Sequence, residues 1–135
     1  MPRGKLPPEF LVDRCLGKSV AEAIRELGHI VHTLESVYGA AAALTVDDED
    51  WLGRAGQRGW IVLTKDKKIR HNRFELAMIH RARAKVFCLT SGNLTGSEQV
   101  NRFVQNLNRI IARSARRGPM VFAVLEKSLE RIERR

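Results

Sequence analysis

The 135-residue sequence predicts an α/β fold, with a mostly parallel central sheet of about five strands flanked by helices. Segments with strand character alternate with segments of helical periodicity about five times along the chain. Each strand candidate is a continuous apolar run, the pattern of strands buried on both faces, which belongs to parallel sheets covered by helices. The length suits one compact domain, and 44% hydrophobic residues supply a core for it. The whole of 1–135 is therefore read as a single domain, with 1–9 a flexible N-terminus and the last few residues frayed.

The first strand is expected at residues 10–13 (FLVD), ending on an acid. Ser19-Val-Ala-Glu22 has the form of a capping box, and Val20, Ile24 and Leu27 recur at helical spacing until Gly28 stops the helix. Residues 29–34 (HIVHTL) form the second strand candidate, and the Ala-rich stretch 35–46 is read as helix. Asp48 is placed as the cap of a helix running through Trp51, Leu52 and Ala55, closed by Gly56 or Gly59. Residues 60–64 (WIVLT) are the clearest strand. A helix over 73–84 follows, capped by Asn72 with Glu75 three positions on, and then a strand at 86–90 (VFCLT). Thr95-Gly-Ser-Glu98 opens the longest helix, whose stripe Val100, Phe103, Val104, Leu107, Ile110 and Ile111 is read as core rather than interface, with Gly118-Pro119 ending it. Residues 120–125 (MVFAVL) are the last predicted strand.

The chain carries 24 Lys and Arg against 15 Asp and Glu, a net charge of +9. Residues 1–46 are balanced, 47–52 (DDEDWL) hold four acids and no base, and 53–85 hold ten bases against Asp66 and Glu75. An acidic knot therefore abuts the most basic stretch of the chain. Clustered Lys and Arg attract phosphates by counterion release, so this partition implies a polyanion partner. No apolar run approaches the ~20 residues of a membrane helix, and the N-terminus has no apolar signal-peptide core. Cys15 and Cys88 lie far apart without a CxxC partner, as reduced thiols do; the expected setting is cytoplasmic.

In an open parallel sheet, ligands bind beyond the carboxyl ends of the strands. Asp13 closes the first strand, and Asp66 lies two residues beyond WIVLT. Asp48 and Asp50 open the helix that leads into that strand, and a turn of about 100° per residue lets a helix present only one of them squarely. Carboxylates that converge raise one another's pKa, and a hard divalent cation relieves the repulsion. Mg2+ or Mn2+ so held can activate water and steady the charge of a phosphodiester.

The segments FLVD, DEDWL and GWIVLTKDKKIR resemble those of the PIN-like nuclease domains, especially the short variants that act as toxins in VapBC-type toxin–antitoxin pairs. The match is Asp13 at the end of strand one, Asp48 with Asp50 in a D-x-[DE]-[WI]-L-type helix, and Asp66 with Thr64 in a T-x-D turn about 18 residues later. The later VFCLTSGNLTG, the long helix and the final strand extend it over most of the chain. The resemblance implies a three-layer domain and a metal-dependent endoribonuclease, with in-line attack of water leaving a 5′-phosphate and a 3′-hydroxyl. It implies Asp13 and Asp66 as direct ligands of Mg2+ or Mn2+, Asp48 or Asp50 as a third, and Thr64 supporting them. Lys65, Lys67, Lys68, Arg70 and Arg73 are the expected phosphate contacts, with Arg14 either a phosphate contact or an ion-pair partner. Longer PIN domains carry a further Glu between the first Asp and the later pair, for which Glu35 is the candidate. An RNA substrate, a cognate antitoxin and a homodimer are the implied partners. The competing reading is a PIN-like fold kept as a nucleic-acid- or protein-binding module without catalysis.

Other signals are weaker. Gly17-Lys18-Ser19 resembles the end of a P-loop, but Val12 stands where the first Gly is required. The four histidines show no metal spacing, and Trp51 and Trp60 fall at core positions. A receiver-type assignment of Asp13, Asp66, Thr90 and Lys127 fails on the paired acids expected after strand one, where Arg14 follows Asp13.

Overall fold

A computed structural model describes residues 7–132 of the chain. Its elements are β1 (Glu9–Val12), α1 (Lys18–Glu26), β2 (Ile30–Thr33), α2 (Leu34–Tyr38), α3 (Ala40–Ala43), α4 (Asp48–Arg58), β3 (Ile61–Lys65), α5 (Arg73–Ala82), β4 (Lys85–Leu89), α6 (Gly96–Ser114), β5 (Met120–Val124) and β6 (Leu129–Arg131), with a 3-10 turn at Ile69–His71. The sheet order is β2-β1-β3-β4-β5-β6. The first five strands pair in parallel, and β6 returns antiparallel to β5.

Alternation along the strands divides the core into two layers. Phe10, Val12, Ile61, Leu63, Phe87 and Phe122 face α1 and α6, joining Val20, Ile24, Phe103, Leu107 and Ile110. Leu11, Val62, Val86, Cys88 and Ala123 face the other way and join Leu34, Trp51, Leu52, Leu76 and Ile79 from α2, α4 and α5. Both faces of the sheet are thus dry, as the continuous apolar runs require. The predicted core stripe of α6 is buried at Phe103, Leu107 and Ile110, whereas Val104 on its edge is exposed; both tryptophans are buried.

Several local expectations are corrected. Helix α1 starts at Lys18 behind Gly17, and no side chain caps it, so Ser19 and Glu22 form no capping box. The cause lies upstream: the Leu16 amide bonds the Asp13 carbonyl at 3.0 Å, turning the chain into the helix before Ser19. The Ala-rich stretch is not one helix but two, broken at Gly39, whose φ of +90° favours glycine. Asp47, not Asp48, occupies the cap position of α4, and Gly59 in the left-handed region closes it. Helix α5 ends at Ala82 and α6 at Ser114, short of the expected stops. Strand β6 was not predicted, and Glu9, assigned to the flexible N-terminus, is paired in β1. The remainder of that terminus through residue 6, and the frayed end 133–135, lie outside the described residues.

Candidate active site at the sheet switch point

From β1 the chain crosses to β2 on one side, and β3 enters on the other. In doubly wound sheets such a reversal opens a crevice beyond the carboxyl ends of the two central strands. Asp13 and Asp66 leave the sheet at this point. The Asp13 amide continues the pairing by donating to the Leu63 carbonyl at 3.0 Å, and the Asp66 amide donates to the Leu89 carbonyl at 2.9 Å. Both side chains are half-buried.

The carboxylates are held by named donors. The Thr64 hydroxyl donates to Asp13 Oδ2 at 2.8 Å from a buried position in β3. Cys15 Sγ donates to the same oxygen at 3.5 Å and lies 3.4 Å from Thr64 Oγ1. Burial first, then the negative charge of Asp13, pushes the Cys15 thiol up. Asp66 Oδ1 accepts the Lys68 amide at 2.9 Å, which fixes the turn after β3. Burial, and secondarily the Asp66 charge, pushes the Cys88 thiol up to about 12, so both cysteines are protonated neighbours of acids. Asp48, exposed in the first turn of α4, accepts the Trp51 indole N–H at 3.0 Å.

The fourth acid is Glu75, which the sequence reading treated only as part of a helix start. Asn72 caps α5 by accepting the Glu75 amide at 3.0 Å. The Glu75 carboxyl is half-buried, and burial pushes its pKa up to about 7, reinforced by the negative charges of Asp48, Asp66 and Asp13 in that order. Four acids from four segments therefore share one field. Glu75 was findable: a helix that follows the exit loop of a parallel strand begins at the same sheet edge, so its first-turn acids lie near that edge.

The remaining site residues are placed as follows. Asp50 is exposed and accepts the Tyr38 hydroxyl at 2.6 Å. Asp48, and not Asp50, is among the charges acting on Glu75. Glu35 is exposed in α2 and lines a cavity of about 360 Å3 with Asp13 and Arg14, also outside the Glu75 field. The Arg14 guanidinium donates to the Val46 carbonyl at 2.8 Å, tying the exit of β1 to the loop before α4. Arg70 pairs with Glu130 of β6 at 2.6 Å. Lys65, Lys67, Lys68 and Arg73 are exposed around Asp66 and Glu75. Phe74, next to Glu75, is 88% exposed and is the second feature the sequence reading passed over.

Among the described residues, no three His, Cys, Asp or Glu side chains are clasped closely enough to hold a metal ion as they stand. The donor set nevertheless fits a hard divalent cation: it consists of carboxylate oxygens, and burial first, then the neighbouring negative charges, lifts Glu75 from its ordinary 4.5 to about 7. No helix among the described residues is long and apolar enough to cross a membrane.

Comparison with known proteins gives a consistent family. No solved structure matches the chain. A protein of Mycobacterium tuberculosis (strain ATCC 25618 / H37Rv) named "Putative ribonuclease VapC45" is 31% identical over 125 residues, covering 91% of this chain and 90% of that protein. The family model described as "PIN like domain" matches residues 8–91, the span that carries Asp13, Asp48, Asp66 and Glu75. With its parallel sheet, its switch-point acids and this match, the chain belongs to the PIN-like domain family.

Proposed function

We propose that the protein is a Mg2+- or Mn2+-dependent endoribonuclease, acting as the toxin of a toxin–antitoxin pair. The observation that carries this reading is the exit of Asp13 and Asp66 from the adjacent strands β1 and β3 at the switch point, with Asp48 close enough for its charge to act with theirs on Glu75. Asp13, Asp48, Asp66 and Glu75 would hold the cation, which when bound supplies an activated water and steadies phosphodiester charge. The chain's own groups do the positioning. The Thr64 hydroxyl, the Lys68 amide and the Trp51 indole each orient one carboxylate by a hydrogen bond. Lys65, Lys67, Lys68 and Arg73 grip the phosphates on either side of the scissile bond, while Arg70 braces the loop through Glu130. Phe74 offers an open aromatic face beside Arg73, suited to an unpaired base and so to single-stranded RNA. The toxin assignment rests on the motif likeness to short PIN-like toxins and on the name of the mycobacterial relative. A cytoplasmic setting and an antitoxin partner follow from that assignment.

The alternative, a binding module without catalysis, is favoured by one observation, that the acids are not clasped among the described residues. Cleavage of a mixed-sequence RNA with Mn2+ separates the two. The nuclease reading expects cutting that Asp13→Asn or Asp66→Asn reduces at least about 100-fold. Salt-dependent RNA binding without cutting, unchanged in both variants, would establish the binding module instead.

A further inference from the structure

Beyond Asp66 the exit loops of β3 and β4 and the start of α6 enclose a cavity of about 380 Å3. Its polar wall is formed by Lys65, Asp66, Lys67, Ser91, Asn93 and Gln99, and its apolar surface by Leu89 and Leu94. The volume falls at the small end of ligand pockets, the size for a single nucleotide unit rather than a strand. One of its walls is a proposed metal ligand, so whatever occupies it lies next to the scissile phosphate.

Gln99 decides what the cavity takes. It is only 8% exposed, an unusual position for a polar side chain. Its Nε2 donates to the Leu94 carbonyl at 3.2 Å, and because a carbonyl demands a donor, this fixes which end of the amide is which. No described residue donates to Gln99 Oε1, yet no buried side-chain oxygen or nitrogen among the described residues is shut away without a partner. Gln99 itself lines the cavity. The amide presents one acceptor and one remaining N–H.

The neighbouring helix start argues against a phosphate here. The Glu98 amide already bonds the Thr95 hydroxyl at 3.1 Å, and the Thr95 amide bonds the Glu98 carboxylate at 2.8 Å. The Gln99 amide N–H is spent on the Thr95 carbonyl at 2.9 Å. The capping box thus consumes first-turn donors and adds a negative charge, leaving the neutral amide to meet a neutral, hydrogen-bonding ligand. Lys65 and Lys67 at the rim suit the phosphates on either side of it.

We propose that this cavity is a base-reading subsite in which Gln99 pairs with the edge of one unpaired adenine beside the cleaved phosphate. An adjacent acceptor and donor match the N6 amino group and N7 of adenine, the bidentate pairing that Gln and Asn make most readily and an edge that cytosine lacks. Leu94, half-buried at the cavity wall, packs on the ring. The proposal rests on the ribonuclease reading for its substrate, but its test does not depend on cleavage.

The experiment is fluorescence anisotropy of labelled rA6, rC6 and rU6 with the metal-free protein at fixed salt. Wild type is expected to bind rA6 tightest, by about 5- to 100-fold. Gln99→Met, nearly equal in volume, brings the three within about threefold while retaining salt-dependent binding. Ser91→Trp, filling the cavity from its exposed rim and leaving the Gln99–Leu94 bond intact, does the same, which answers any loss of folding in the first variant. A ranking without rA6 first, or one that survives both substitutions, overturns the proposal. Cleavage of mixed RNA with Mn2+, run in parallel, judges the nuclease reading separately: its absence defeats that reading while the anisotropy ranking still decides the subsite.

Discussion

Glu75 and Glu98 occupy the same place in their helices, the third residue after the cap, with opposite fates. Glu98 closes a capping box with Thr95, and hydrogen bonds from Thr95 hold its carboxyl below the usual range. At the start of α5, Asn72 accepts the Glu75 amide but the Glu75 carboxyl does not return to the cap, and burial with three neighbouring carboxylates drives it up to about 7. A raised carboxyl binds its proton in the folded state at pH values where the unfolded chain has released it. The resulting stability is fully present below about 4.5 and lost as pH rises through about 7. The metal-free protein should therefore lose roughly 1–2 kcal/mol across that window, after allowance for the half-exposed side chain. Thermal melts in EDTA from pH 4.5 to 8 check this: Glu75→Gln should flatten the loss and melt above wild type at pH 8. A variant whose melts follow the wild-type curve would contradict it. At the same scale, Phe74→Ala should weaken single-stranded RNA binding about 5- to 100-fold by loss of one stacked base, with Phe74→Trp restoring it. Equal affinity of the alanine variant would remove Phe74 from the interface. In the sequence, Asp13 and Asp66 stood out because they follow apolar strands, and Asp48 with Asp50 because they open the D-x-[DE]-[WI]-L motif; Glu75 did not, since its spacing describes a cap equally well.

Helices α4 and α5 carry Asp48 and Glu75, so their contact sets the distance between two of the four acids. At that contact a Cβ on Gly56 would collide with the backbone carbonyl of Ala82, which cannot yield as a flexible side chain can. Two effects oppose each other in Gly56→Ala: helix propensity gains about 1 kcal/mol, and overpacking against backbone costs about 1–3 kcal/mol. The collision should win, lowering the melting temperature by several degrees and weakening Mn2+ binding together. A stabilised variant with unchanged Mn2+ affinity would show that the pair separates without moving the site. The same scale explains what the sequence concealed. Five strands were visible because apolar runs buried on two faces are unambiguous, whereas β6 is three residues, Leu-Glu-Arg, whose pairing depends on β5 and leaves no pattern of its own. The break between α2 and α3 falls at Gly39, just before a run of four alanines that favours helix. The start of α1 was misplaced because the turn at Asp13–Leu16 competes with, and wins over, the local capping signal at Ser19.

Across the whole molecule, the net charge of +9 is organised by topology. The sheet order places the exits of β1 and β3 side by side, and the segments leaving β3 and entering α5 bring Lys65, Lys67, Lys68 and Arg73 to the edge where the acids gather. The sequence disclosed the abutting charges but not their relation in space, because that depends on strand order. If these four acids form one cation site, calorimetric titration of the protein with Mn2+ at pH 8 gives saturable binding by wild type, abolished in Asp66→Asn and weakened at least about tenfold in Glu75→Gln, while Asp50→Asn, on the Tyr38 side of α4, binds as wild type does. Absence of Mn2+ binding by wild type, or equal binding by Glu75→Gln, would show that they do not.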